Sequence, residues 1–467
     1  MPNAIVWFRN DLRLRDQPAL QAALRQGFNP IPVYVHAPEE EGAWAPGAAS
    51  DAWRHRSLLA LDASLRERGS RLNVLRGPSL EALGRAAADC HAEAVFWNRR
   101  YEPAIEQRDA GVKRAMRSAG LRCESFNGSL LFEPWQVESK QGDPYRVFTP
   151  FWRTASAQLR VPAALDAPAR LPGAVSLPDA IPIESLRLAP RLQWDQGFWT
   201  QWTPGEAGAL AALDRFTKAS LDDYARARDF PSSAGTSGLS PHLHFGEVSP
   251  WQVARASQPA TEAGQTFLRQ LGWREFAHHV LHHFPATPLD NFNPRFDDFP
   301  WADVPGPLLD AWKHGRTGIP IIDAGMRELW STGYMHNRVR MIVASFLTKN
   351  LRAHWAEGAA WFWDTLVDAN LANNTLGWQW VAGTGVDAAP YIRVFNPVLQ
   401  AQRFDPDGAF IRDWIPELSR LPPKAIHAPW LTGNRVAGYP DAPIVDLAVS
   451  RQEALAAFER FRAGNAG

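Results

Sequence analysis

Cysteine is scarce. Cys90 and Cys123 are the only two in 467 residues, too few for a disulfide framework, a four-cysteine iron-sulfur site or a cysteine zinc site. Redox chemistry must therefore come from another group. Long apolar runs are missing too, so no membrane-spanning helix is expected. Arginines and aspartates interrupt the opening MPNAIVWFRNDLRLRD, which reads as strand and loop without a signal-peptide core and points to a cytoplasmic protein. Net charge is absent, with 49 Lys plus Arg against 49 Asp plus Glu. That balance argues against a whole-surface polyelectrolyte binder while leaving room for a local basic patch. Neither GxGxxG nor GxxxxGK[ST] occurs, so a Rossmann or P-loop phosphate site has no support. No Ser-His-Asp or Cys-His nucleophile pattern stands out, and there is no internal repeat or low-complexity tract.

What is abundant is tryptophan, 21 against 7 tyrosines. Packing alone seldom demands that ratio, because each buried indole N–H needs a partner. From 1 to 130, AIVWF, PIPVYVH, RLNVLRG, AEAVFWN and LRCESFNG read as strands alternating with amphipathic helices. Strict alternation predicts an α/β amino-terminal domain with a doubly wound, parallel, five-stranded sheet. Residues 131–205 read as an interdomain connector, proline-rich beyond about 155 and without sustained periodicity. From 206 to 467 the periodicity is mainly helical, as in GQTFLRQLGWREFAHHVLHHF, predicting a mostly α-helical carboxyl-terminal domain.

Four stretches of that half invite chemistry. TSGLSPHLHFGEVSP gathers Thr236, Ser237 and Ser240 around Gly238 before a helix, an ordinary capped loop or one whose N–H groups hold phosphate. AHHVLHHF sets His278, His279, His282 and His283 in two i, i+4 pairs. With no HExxH glutamate between them, they read as a solvated or groove-lining face, and no metal is expected. GYMHNRVRM, followed by Lys349, Arg352, Arg393 and Arg403, reads as a solvated charge face or a set of phosphate contacts. NNTLGWQWVAGTG places Trp378 and Trp380 at i and i+2, a spacing that cannot put both on one helical face.

Taken together, VWFRNDLRLRD, TSGLSPHLHFGE, WREF, MHNRVRM and LGWQWVAGTGVDAAPYIRVFNP resemble the photolyase/cryptochrome family across essentially the whole chain. The nearest likeness is to class I cyclobutane pyrimidine dimer DNA photolyases. The resemblance implies FAD held in the helical domain, with Tyr224, Thr236, Ser237, Gly238, Leu239 and Ser240 at its phosphates and ribityl chain. It places Arg340 with Asp368 and Asn370 beside the flavin ring and Asn374 at flavin N5, where an amide accepts an N–H without adding an anion. Three tryptophans, Trp378, Trp355 and Trp301, would carry electrons from the surface to the flavin. The dimer would stack on Trp273 and Trp380 in a pocket lined by Asn337, Arg338 and Met341, with Arg228 and Arg393 near DNA phosphates. The implied activity is light-driven repair of an extruded pyrimidine dimer by electron transfer from excited reduced FAD, in a monomer whose partner is damaged DNA.

Departures from the pattern bear on the alternatives, a cryptochrome-like blue-light receptor and a (6-4) photolyase. Gln270 stands where the family's repair enzymes carry a glutamate that bonds the damaged base. Glutamine there is usual in (6-4) enzymes, but those need a histidine where this chain has Asn337, and two cysteines exclude the iron-sulfur branch. Asn370 replaces a common acid, and Gly238 a frequent arginine. The amino-terminal domain would house an antenna chromophore, methenyltetrahydrofolate or a deazaflavin, although Ala104 and Ile105 in YEPAIEQRD stand where the folate pattern has polar residues. No tail of the kind that signalling members often carry follows VSRQEALAAFERFRAGNAG, which leans the expectation toward repair.

Overall fold

The structure is a computed structural model that describes residues 1–433 and 435–464. Residues 465–467, the end of the expected helical domain, lie outside the described residues. The chain forms two compact units. The first comprises Met1–Trp194, Trp202–Asp222 and Ser237–Pro285; the second comprises Asp195–Gln201, Asp223–Thr236 and Ala286–Gly467.

The first unit is built on five strands: β1 (Asn3–Phe8), β2 (Asn29–His36), β3 (Asn73–Arg76), β4 (Ala92–Asn98) and β5 (Arg122–Phe126). They pair in parallel in the order β3-β2-β1-β4-β5, the doubly wound topology that strand-helix alternation predicts. Alternate residues of β1 feed two cores, Ala4, Val6 and Phe8 one face and Ile5 and Trp7 the other. Both faces are therefore covered by helices, as a parallel sheet requires. Pro30 and Pro32 are tolerated in β2 because its pairing with β3 begins only at Val33.

The stretch read as a featureless connector contains the helix Phe148–Gln158, which buries Phe148, Phe151 and Ala155 at helical spacing. This helix packs on Glu262–His283, the long helix of the same unit, whose start Thr261 caps by accepting the Gly264 N–H at 3.0 Å. The second unit is helical, and one core draws on its helices Pro320–Thr332, Asn337–Ser345, Trp355–Thr365 and Leu371–Ala382. Among the described residues no helix is long and apolar enough to cross a membrane.

Candidate functional site

NNTLGWQW lies on the helix Leu371–Ala382 of the second unit. Asn370 is its N-cap, accepting the Asn373 N–H at 3.1 Å, and Gly383 ends it in the left-handed region at φ 88°. The chain thus places a neutral cap at the start of this helix. Trp378 turns into the core, 3% exposed, against Phe362 and Trp312 with ring centroids at 5.0 and 6.3 Å. Trp380, two residues on, points elsewhere and is half-buried. Trp378 approaches the backbone of Gly358 so closely that a Cβ there would overlap its ring. Gly358 lies one turn after Trp355 on the helix Trp355–Thr365, so that turn joins two of the three expected chain members.

Asn374 Nδ2 donates to the Ala359 carbonyl at 3.0 Å. A carbonyl can only accept, so this bond fixes the amide's orientation and turns Oδ1 the other way as an acceptor. One turn later, a Cβ built on Gly377 would meet no atom within 4 Å. The helix face carrying Asn374 and Gly377 therefore has open space at Gly377, with an acceptor set beside it.

Beside it, His336 caps the helix Asn337–Ser345 by accepting the Arg338 N–H at 3.2 Å. Arg340 donates from Nε to the Met335 carbonyl at 2.7 Å and from Nη2 to both Asp368 oxygens at 2.9 and 3.0 Å. Burial works against the guanidinium's charge, but Asp368 outweighs it and holds the pKa above its ordinary value. Glu328, on Pro320–Thr332, accepts the His336 N–H at 3.3 Å, and burial pushes its carboxyl up to about 8. Tyr334, hydrogen-bonded to Thr236, is pushed up by burial to about 12. Arg338 pairs with Asp229 at 2.7 Å and lies over Phe404 at 4.3 Å, with the Met341 sulfur 3.8 Å away. Asn337 and Arg393 are exposed, Arg393 lying over Phe395 at 5.4 Å. Arg228 lies over the buried Tyr224 at 5.3 Å.

Trp355 is buried and donates its indole N–H to Asn291 at 2.8 Å. His354 bridges it to Trp301, with centroids 5.4 and 5.2 Å from the two rings. The Trp301 N–H is buried with no acceptor among the described residues. All three tryptophans belong to or pack against one core.

The first unit carries the rest. Ser237 accepts the Leu239 N–H at 3.3 Å, Leu239 is buried, and Ser240 opens the short helix Ser240–His244. Gly238, at φ 64°, occupies the left-handed region that a side chain resists. Gln270 and Trp273 share a face of Glu262–His283 at i, i+3, both half-buried. The charged pair of WREF is structural: Glu275 accepts Arg274 at 3.1 Å and the N–H groups of Leu131 and Phe132 at 2.7 and 3.1 Å.

Two expectations need correction. The histidines are only in part the solvated or groove-lining face expected: His282 and His283 are half-buried, but His279 is fully buried, bonded at Nδ1 to the Pro134 carbonyl at 3.0 Å and at Nε2 to the Tyr145 N–H at 3.0 Å. His278 is buried on the Arg274 carbonyl at 2.9 Å. Burial lowers both to about 4, so they serve as neutral anchors for neighbouring chain. Lys349 is no phosphate contact either. It is fully buried, donates to the Ala382 carbonyl at 2.6 Å and lies 3.4 Å from the centre of the Tyr391 ring. Sequence reasoning also missed Asn291 and Gln379. Gln379 donates to the Thr287 and Asp290 carbonyls at 2.7 and 2.9 Å, pinning the loop that supplies Asn291. A polar residue in the apolar Trp378 helix was the available signal. No cluster of three or more metal-ligating side chains occurs among the described residues.

The family profile described as DNA photolyase matches residues 4–170, and the one described as FAD binding domain of DNA photolyase matches residues 267–460. The deoxyribodipyrimidine photo-lyase of Agrobacterium fabrum is 44% identical over 97% of this chain and 97% of its own length. Cryptochrome-2 of Arabidopsis thaliana is 38% identical over 98% of this chain and 79% of its own length. The crystal structure of a bacterial class III photolyase from Agrobacterium tumefaciens matches with a TM-score of 0.94 and 43% identity, covering 99% of this chain and 98% of that one. That relative is a class III enzyme, whereas the sequence motifs suggested class I.

Proposed function

Because the chain belongs to the DNA photolyase/cryptochrome family, we propose that it is a deoxyribodipyrimidine photolyase, which uses light and bound FAD to split cyclobutane pyrimidine dimers in DNA. The observation that carries this reading is Asn374: its amide is oriented by Ala359, its oxygen is turned away from that bond as an acceptor, and it stands on a helix face with open space at Gly377, one turn from the buried Trp378. Those residues fit a flavin ring, and Arg340 with Asp368 supplies a cation already balanced by an acid. When bound, FAD in its reduced and excited state supplies one electron to the dimer and takes it back, consuming no cosubstrate.

The chain's own residues do the rest. Asn374 holds a proton donor at its oxygen without adding an anion. Tyr224, Thr236, Ser237, Gly238, Leu239 and Ser240 bind the cofactor's phosphates and ribityl chain, with Asn370 capping the helix that faces the ring. Trp378, Trp355 and Trp301 form the route by which electrons arrive from the surface; their shared core and the His354 bridge support it. Trp273 and Trp380 stack on the dimer, Gln270, Asn337, Arg338 and Met341 line its pocket, and Arg228 and Arg393 meet backbone phosphates. Residues 1–130 form the antenna-type domain, 131–205 the connector and 206–467 the catalytic domain. The reading carries with it a cytoplasmic monomer.

A receptor reading is favoured by the 38% identity to a plant cryptochrome and by the neutral Asn370 cap. One experiment separates the readings: reduced protein under blue light is given a thymine-dimer oligonucleotide and, separately, a (6-4) oligonucleotide. Restoration of the first alone is expected. Flavin photochemistry with neither substrate restored would leave the receptor reading standing instead.

A further inference from the structure

The helix Phe148–Gln158, invisible in the sequence periodicity, meets Glu262–His283 at the residues on which lesion recognition would turn. Phe148 is 1% exposed and stacks face to face on Trp273, with centroids 3.8 Å apart and planes 11° from parallel. Phe276 closes a second side of the indole edge-on at 5.9 Å. The neighbouring Gly272 is a notch: a Cβ there would overlap the Trp152 ring, which lies nearly parallel to Phe148 at 7°. One helix thus docks through two rings onto the consecutive pair Gly272 and Trp273. Arg269, one turn before Trp273, lies over the same Phe148 ring at 5.3 Å.

These contacts leave the indole little freedom. One face is consumed by Phe148, one edge is blocked by Phe276, and the opposite face has no ring partner among the described residues. We propose that Phe148, seated by Trp152 in the Gly272 notch, is a positioning residue that fixes the plane of Trp273 and so sets the preference for pyrimidine-dimer DNA over undamaged DNA. This rests on the reading that Trp273 stacks on the dimer. A flat partner binds a fixed plane without first ordering it, whereas a free indole must be immobilised at the moment of binding. Contacts to phosphates are indifferent to the plane of Trp273, so affinity for undamaged DNA should not depend on Phe148.

The test is a dark binding measurement with flavin-loaded protein. Fluorescence anisotropy compares a thymine-dimer oligonucleotide with the same sequence undamaged. Phe148→Leu, which keeps an apolar filler but removes the ring, is expected to lower the dimer-over-undamaged preference about fivefold through weaker dimer binding alone. Phe148→Tyr, which restores a ring, should return it, and the half-buried Trp152→Leu should lower it by less. Trp273→Phe tells the two levels apart. If it binds dimer as the parent does, Trp273 is not the platform and the inference falls with that reading. If Trp273→Phe loses preference while Phe148→Leu and Trp152→Leu keep it, the backing role alone is wrong. Equal weakening on both oligonucleotides would also overturn it, marking the helix as merely structural.

Discussion

Glu328 offers a prediction that needs neither cofactor nor substrate. Glu328 is 8% exposed, and among the described residues its carboxylate accepts the His336 N–H at 3.3 Å and has Arg340 as its charged neighbour, whose guanidinium is already taken by Met335 and Asp368. Burial therefore dominates and lifts the carboxyl from 4.5 to about 8. A folded-state value above the unfolded one means that folding favours the protonated acid. The associated stability is fully present below the unfolded value and is lost as pH rises toward the folded one. Between about pH 5.5 and about pH 7.5 the unfolded carboxyl ionises freely while the folded one resists, which removes about 2–3 kcal/mol from folding. Glu328→Gln keeps an acceptor for the His336 N–H and has no charge to bury, so its stability lacks this slope. Urea unfolding of both proteins at the two pH values should show the variant gaining on the parent by about 2–3 kcal/mol as pH rises. Other titrating groups are common to both proteins and cancel in the difference. Parallel pH curves would refute the reasoning, because they would mean that Glu328 is solvated or paired in the folded protein.

Three further outcomes follow from the site. Trp378→Phe should slow light-driven flavin reduction at least tenfold while protein reduced chemically still repairs, a roughly 1.4 kcal/mol or larger barrier change; undiminished photoreduction in a flash experiment would remove Trp378 from the route. Gln270→Glu should raise the quantum yield of dimer splitting, since a carboxyl adds a charge and a mobile proton that an amide lacks, and an unchanged yield would show that Gln270 is not limiting. Gly358→Ala should cost about 1–3 kcal/mol by forcing a Cβ against the Trp378 ring; wild-type stability in the same melt would mean that the two helices separate freely.

The legible part of this chain is whatever repeats locally. Runs such as AIVWF and AEAVFWN became β1 and β4, because a short, continuously apolar run and its alternation with helices are properties of neighbouring residues. The divergence of Trp378 and Trp380 was legible in the same way, from helical geometry. What stayed hidden depends on partners remote in sequence. Glu275 reads as a charge until Leu131, 144 residues away, donates to it. His279 reads as a surface group until Pro134 and Tyr145 enclose it, and Lys349 as a phosphate contact until Ala382 accepts it. The helix Phe148–Gln158 escaped because three buried positions in 11 residues are too short a period to stand out beside a proline-rich stretch. Asn370 was read for the acid it replaces, whereas its position made it a cap.

The most direct test of the central claim is a turnover count. Reduced protein is mixed with a tenfold or so excess of thymine-dimer oligonucleotide without added cosubstrate, illuminated with blue light, and followed for both restored thymines and flavin redox state. A catalytic electron that returns predicts many dimers split per protein with the flavin still reduced at the end. One dimer or fewer per protein, with the flavin oxidised in step, would contradict it.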